Sequence, residues 1–182
     1  MTREVLTARL RIRDWVPDDL DALAPVFAKP EVWRFPFGRG FSIEETETYL
    51  SRKIEAQDRG TASPSAAEDR GTGQLMGYVS LAPPEWLPEV MPAVEIGWRL
   101  DPPFWGKGIA TEGARALLAY GFRDMDLAEI LSIYEPANVA SGRVMQRLGM
   151  HFAREVRHPY FDRELHIFRL ARTEWETATS HP

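Results

Sequence analysis

The stretch from Ala93 to Arg123 constrains this chain most, because a strand pattern, a two-glycine turn and a helix pattern follow one another there without a spacer. Val94, Ile96, Trp98 and Leu100 fall on one face and Glu95, Gly97 and Arg99 on the other, the period of two of a strand. Asp101-Pro102-Pro103 turns the chain, and Trp105-Gly106-Lys107-Gly108-Ile109-Ala110 leads into a helix over Ile109–Arg123. Ala110, Ala114, Leu117, Leu118 and Gly121 share one arc of that helix. Two glycines ahead of a helix let the backbone approach a ligand closely. The first helical N–H groups lack intrahelical partners and the dipole is positive there, which suits a phosphate or pyrophosphate. Lys107 either adds charge or points to solvent. The plain alternative is a tight strand-to-helix turn without a ligand. A dinucleotide fingerprint would need a third glycine where Thr111 stands, and no G-K-S/T of a P-loop occurs.

Glu129–Tyr134 reads as the next strand, so residues 93–134 form a strand–helix–strand unit with a parallel pair and a right-handed crossover. Upstream, Arg9–Arg13 alternates as a strand, and Pro17-Asp18-Asp19 opens a helix bearing Leu20, Leu23, Val26 and Phe27 that Lys29-Pro30 ends. Ser42-Ile43-Glu44-Glu45 has capping-box spacing, with a helix to about Asp58. The aromatic stretch Val32–Phe37 between these helices is a packed connector or one wall of a pocket. Residues 60–73 have little apolar bulk and read as a mobile loop with a weak strand near Ser65–Glu68. Gln74–Leu81 reads as a strand. The proline-rich connector 83–92 carries the exposed-looking pairs Trp86-Leu87 and Val90-Met91, an interface or a lid. Asn138–Leu148 reads as a short helix with Ala140, Val144, Met145 and Leu148 on one face and Gly149 as its C-terminal cap. Phe152–Arg157 and Glu164–Ala171 form a last antiparallel pair. The expectation is an α/β (α+β) fold: a mixed, mostly antiparallel sheet of six to seven strands with helices on both faces. It should occupy one domain over 1–182 with its core at about 9–171.

The chain has 182 residues and no Cys, which excludes disulfides, Cys-based zinc sites and a Cys nucleophile. No signal-peptide run and no span of about 20 apolar residues is present, and the protein is read as soluble and cytoplasmic. A formal net charge of −5 disfavours nucleic-acid binding and favours, weakly, a cationic acceptor such as an amine. His151, His158, His166 and His181 show no metal-ligand spacing, and no metal is expected. A homodimer is left open.

Four passages together carry a resemblance to the GNAT acetyltransferase superfamily, extending from Arg9 to Ala171: Leu6–Arg13, Glu95–Trp98, Trp105–Glu112 and Asn138–Met150. The pattern is similar to the RimJ/RimL-type branch that acetylates N-termini of ribosomal proteins. The resemblance implies acetyl-CoA as cofactor, a central parallel strand pair that splays to admit the thioester, and direct transfer to an amine acceptor, a protein N-terminus or a small molecule. The family's phosphate motif, Q/R-x-x-G-x-G/A, is met by Gly108 and Ala110, with Trp105 in the first place. By resemblance the backbone of Trp98, Arg99 and Leu100 binds the pantetheine arm, and Gly97 is a bulge position there. Trp105, Gly106, Lys107, Gly108, Ile109, Ala110 and Thr111 hold the pyrophosphate. Asn138 reaches the pantetheine amide, and Arg143 of the same segment is counted with the cofactor-binding residues.

Without a Cys nucleophile, direct amine attack on the thioester is the natural route. An α-amine near pKa 8 or a Lys amine near 10.4 must first lose a proton, so a general base is needed. Glu95 is the first candidate and Glu135 the second; an ordinary solvated or ion-paired strand Glu is the alternative. Many members place a proton-donating Tyr seven residues after the Asn, where this chain has Met145. In the resembling branch a Ser three residues after the Asn takes that role, and Ser141 matches; helix capping by Asn138 and Ser141 is the alternative. Tyr134 and Tyr160 are outside candidates. The linker His158–Asp162 borders the acceptor pocket or is a plain turn. Other readings are a polyamine, aminoglycoside or amino-acid acceptor, a non-catalytic acyl-CoA-binding module, and an ATP-binding protein.

Overall fold

A computed structural model describes residues Arg3 to Ser180. The strands are β1 (Glu4–Leu6), β2 (Leu10–Arg13), β3 (Ala66–Asp69), β4 (Leu75–Ala82), β5 (Glu95–Leu100), β6 (Glu129–Tyr134), β7 (His151–Arg157) and β8 (Glu164–Ala171). They form one sheet of eight in the order β1-β2-β3-β4-β5-β6-β8-β7. Every neighbouring pair is antiparallel except β5 and β6. The helices are α1 (Leu20–Phe27), α2 (Ile43–Asp58), α3 (Ile109–Arg123), α4 (Val139–Arg147) and α5 (Arg172–Ser180). Among the described residues no helix is long and apolar enough to cross a membrane.

One face of the sheet buries Leu10, Met76, Val79, Ile96 and Ile130 against Ala114, Leu117, Leu118 and Phe122 of α3 and Met145 of α4. On the other face Leu23, Val26 and Phe27 of α1 and Leu50 of α2 pack with Trp33 and Leu75. Farther along that face Leu131, Leu165 and Ile167 are covered by Leu87 of the 83–92 connector. The two-periodic alternation of β5 therefore feeds two compartments. Val94, Ile96, Trp98 and Leu100 join the α3 side, and Glu95, Gly97 and Arg99 turn toward the α2 side.

Several expectations are corrected. The sheet has eight strands, because Glu4–Leu6 pairs with β2. The 60–73 stretch is no free loop: β3 lies inside the sheet between β2 and β4, and Ala62, Ser63, Ser65, Ala66 and Ala67 are buried. Ala66 belongs to the core on the α1 side and Ala67 to the core on the α3 side. Gly97 is not a bulge, since it pairs with Ser80 in an unbroken register from Glu95↔Ala82 to Leu100↔Gly77. Leu87 is buried while Trp86 and Met91 are exposed, and Ala140 lies on the exposed side of α4. The capping box at Ser42 and Glu45 is present, and Gly149 takes a φ of 78° beyond α4.

Candidate active site

The parallel pair is where the sheet opens. β5 and β6 share one register pair, Glu95↔Leu131. Backbone groups of the even-numbered β5 residues face β6: the Val94 carbonyl accepts from the Leu131 N–H at 3.0 Å, and the Ile96 carbonyl from Ser132 Oγ at 2.8 Å. Trp98 is next in this alternation, and β6 has already diverged. Past Ile96 this edge therefore leaves the Trp98 N–H and carbonyl and the Leu100 N–H without a strand partner, while the Leu100 carbonyl is taken by the Trp105 indole.

That edge leads to the glycine turn. Gly106 has φ 70° and Gly108 φ 77°, values costly for any residue with a Cβ. Gly108 is the N-cap of α3 and supplies no side chain to satisfy the helix's first N–H groups. The cradle is held from behind. Arg9 pairs with Glu112 at 2.6 Å and donates to the Lys107 carbonyl at 2.8 Å, and Thr7 Oγ1 donates to Glu112 at 2.6 Å. Trp105 anchors the turn by donating its indole N–H to the Leu100 carbonyl at 2.7 Å. Two passages far apart in sequence, Leu6–Arg13 and Trp105–Glu112, thus form one structural unit. Beside it Thr7, Arg9, Gly108, Thr111, Glu112, Arg115 and Arg147 line a groove of about 490 Å³. Arg115 and Arg147 were not singled out from sequence; lone arginines on two helices carry no spacing signal.

At α4 the Asn138 side chain accepts from the Ser141 N–H at 3.3 Å, so the capping alternative describes its carbonyl oxygen. Arg143 is exposed on the same helix, whereas Met145 is 1% exposed in the core. A Cβ placed on Gly142 would lie 3.1 Å from the Tyr134 hydroxyl, so this phenol rests on the first turn of α4 beside Ser141. Tyr160 stands apart, 76% exposed.

On the opposite face, Glu95 is partly buried at the base of the opening. Burial pushes its carboxyl up from the ordinary 4.5 to about 7, against the pull of Lys53, the Trp86 side chain, the Ile133 N–H and Arg99. A carboxyl near 7 is matched to accepting a proton at neutral pH. Glu135, the second candidate, is held by Arg163 at 3.1 Å. Gly97 separates Glu95 from Arg99, and a Cβ built on it meets nothing within 4 Å, so it is the floor of an open space. Arg99 lies 3.9 Å from the Trp33 ring centroid and donates to the Val32 carbonyl. Lys53, Tyr49 and Tyr78 around this space carry no sequence signal, since they come from separate elements, and Trp86 stood out in the sequence only as part of an interface or a lid. The fold also gathers Glu155, Glu164 and His166 on the exposed β7–β8 hairpin, where Glu164 and His166 make an ordinary contact at 2.9 Å.

A strand edge ending at a glycine-cradled helix N-terminus, with a titratable carboxyl across the sheet, matches the arrangement that the resemblance to acetyltransferases implies. Comparison with known proteins gives the family. The acetyltransferase (GNAT) domain matches residues 9–151, and the chain belongs to the GNAT acetyltransferase family. It is 36% identical to the protein YkkB of Bacillus subtilis over 155 residues, covering 85% of this chain and 88% of that one. A GNAT acetyltransferase from Bacillus anthracis shares the fold at TM-score 0.79 and 24% identity, over 94% of this chain and 100% of that chain. RimL, the ribosomal L7/L12 α-N-protein acetyltransferase solved with coenzyme A, shares it at TM-score 0.78 and 20% identity, over 93% and 98%.

Proposed function

We propose that this acetyltransferase moves the acetyl group of acetyl-CoA directly to a primary amine, with Glu95 as general base. The observation that carries this reading is a carboxyl held near pKa 7 at the base of the opening between β5 and β6. The residues present fit the cofactor. Among the described residues the Trp98 N–H and carbonyl and the Leu100 N–H would meet the pantetheine amides, the Asn138 amide N–H₂ makes no hydrogen bond and would meet them too, and Gly106 to Thr111 would offer N–H groups to the pyrophosphate. Arg115 and Arg147, with Arg143 outside them, supply positive charge for the remaining phosphate. Acetyl-CoA brings the acyl group as a thioester.

The chain's own groups handle protons. Ionised Glu95 accepts the proton of the acceptor ammonium, directly or through water, and frees the nitrogen lone pair. The new N–C bond forms as the C–S bond breaks, the nitrogen releases its second proton to water, and the sulfur takes a proton from a hydroxyl that water then reprotonates. The Ser141 hydroxyl supplies that proton, with Tyr134 as a second donor because its ring packs on Gly142 next to it. Met145 offers none. Acetyl-CoA titration followed by thiol release over an amine panel tests the reading. CoA release with at least one amine supports it. Tight acetyl-CoA binding with no release on any amine or N-terminal peptide overturns it in favour of a non-catalytic acyl-CoA-binding module.

A further inference from the structure

The space above Gly97 is roofed. From Arg99 the contacts run to Trp33 (3.9 Å), from Trp33 to Phe37 (5.7 Å) and from Phe37 to Phe161 (6.0 Å). They continue from Phe161 to His158 (4.7 Å) and from His158 to Trp86 (5.2 Å), which returns to Glu95. Three loops thus form an arch whose feet are Arg99 and Glu95 and whose floor is Gly97. An extended peptide needs an open lane, and these rings cross the approach to Gly97 on this side, which favours a small molecule.

The charges inside are unbalanced. The charged pair beside His158 is internally matched, Glu135 with Arg163 at 3.1 Å. Among the described residues Arg99 and Lys53 make no ion pair. Arg99 donates to a neutral carbonyl and keeps a buried Nε without a partner. Lys53 lies 5.2 Å from the Tyr49 ring centroid, which stacks at 5.9 Å on Tyr78, the cross-strand partner of Arg99. Two cations face one carboxyl, so a polycationic acceptor meets repulsion, although the whole chain is acidic. The charge of the compartment, not the net −5, decides what enters.

We propose that the acceptor is a small primary amine bearing its own anionic group, a carboxylate or a phosphate. The amine lies toward Gly97 and Glu95 and the anion toward Arg99 and Lys53. A strand rises about 3.3 Å per residue, so Gly97 and Arg99 are about 7 Å apart, a span of a few bonds between amine and anion. This inference rests on the acetyl-transfer reading above.

Thiol release tests it with matched acceptors: an α-amino acid against its amide, an O-phosphorylated amino alcohol against the parent alcohol, spermidine, and a peptide without acidic residues. The anionic member of at least one pair should exceed its neutral partner about tenfold in kcat/KM, and which pair responds tells carboxylate from phosphate. Arg99→Gln should remove most of that margin while the acetyl-CoA Kd stays within about twofold. Lys53→Glu, on the partly exposed face of α2, should shift preference toward diamines, a gain that a merely structural role would not produce. Equal or faster turnover of the neutral amines, spermidine or the peptide overturns the inference. Absence of release with every amine, despite acetyl-CoA binding, overturns the acetyl-transfer reading instead.

Discussion

The two faces of β5 solve different recognition problems with different parts of the chain. In the reading proposed above, the donor on the α3 side would meet mainly backbone: a strand edge that β6 leaves and a turn whose glycines take φ 70° and 77°. On the α2 side the proposed acceptor space is flanked by side chains from α2, the 28–42 connector, the 83–92 connector and the β7–β8 turn. Backbone recognition tolerates wide change in side chains and ties the site to the fold. Side-chain recognition from separate loops can change acceptor without disturbing the fold. The comparison predicts that substitutions on one face alter donor binding, and on the other acceptor turnover, with little crossover.

The largest effect belongs to Glu95. Glu95→Gln should lower kcat about 100-fold or more with the acetyl-CoA Kd unchanged. In the unsubstituted protein kcat/KM should climb with pH and level off above about 7, as the carboxyl ionises. The variant should lose that limb; a limb surviving in it would assign the base elsewhere. The same group bears on stability. Folding raises its pKa from 4.5 to about 7, so its stabilising contribution is whole below 4.5 and lost as pH rises through 7. Thermal melting of Glu95→Gln should therefore gain on the parent at pH 8, by up to about 3 kcal/mol, and match it at pH 4.

Two glycine substitutions then divide the faces. Gly108→Val forces a β-branched residue into the left-handed region and should weaken acetyl-CoA about tenfold by calorimetry. Gly97→Val puts its side chain into open space, so melting should hold and the acetyl-CoA Kd should change little. Its kcat/KM for the acceptor should fall about tenfold. Loss of donor binding in Gly97→Val would mean that the two compartments are one.

The same division explains what was readable beforehand. The alternation of Val94–Leu100 and the arc of α3 are strong periodic signals, and both elements lie where periodicity puts them. That alternation puts Glu95 on the face opposite Val94, Ile96 and Trp98, beside Gly97, and its register on β4 keeps it there. β1 has three residues and α5 has Trp175 as its one large apolar residue, too little pattern for either to register. β3, Ala66-Ala67-Glu68-Asp69, lacks bulk because its neighbours supply it. Arg99 fell on the right face, but its stacking on Trp33 joins residues 66 positions apart, which spacing cannot encode.

The smallest effect concerns the leaving sulfur, and it tests why Met145 is tolerated. A free thiol has a pKa near 8.5, so a thiolate leaves at neutral pH far more readily than an alkoxide. A proton donor then contributes modestly, and Ser141→Ala and Tyr134→Phe should each lower kcat about three- to tenfold with no change in acceptor KM. If either hydroxyl can serve when the other is gone, the double variant should lose more than the product of the single losses. Gly142→Ala supplies an independent check, because its Cβ would crowd the Tyr134 ring at 3.1 Å while leaving both hydroxyls in place. A kcat loss in Gly142→Ala that Tyr134→Phe does not share would make ring position, not the phenol proton, the contribution of Tyr134.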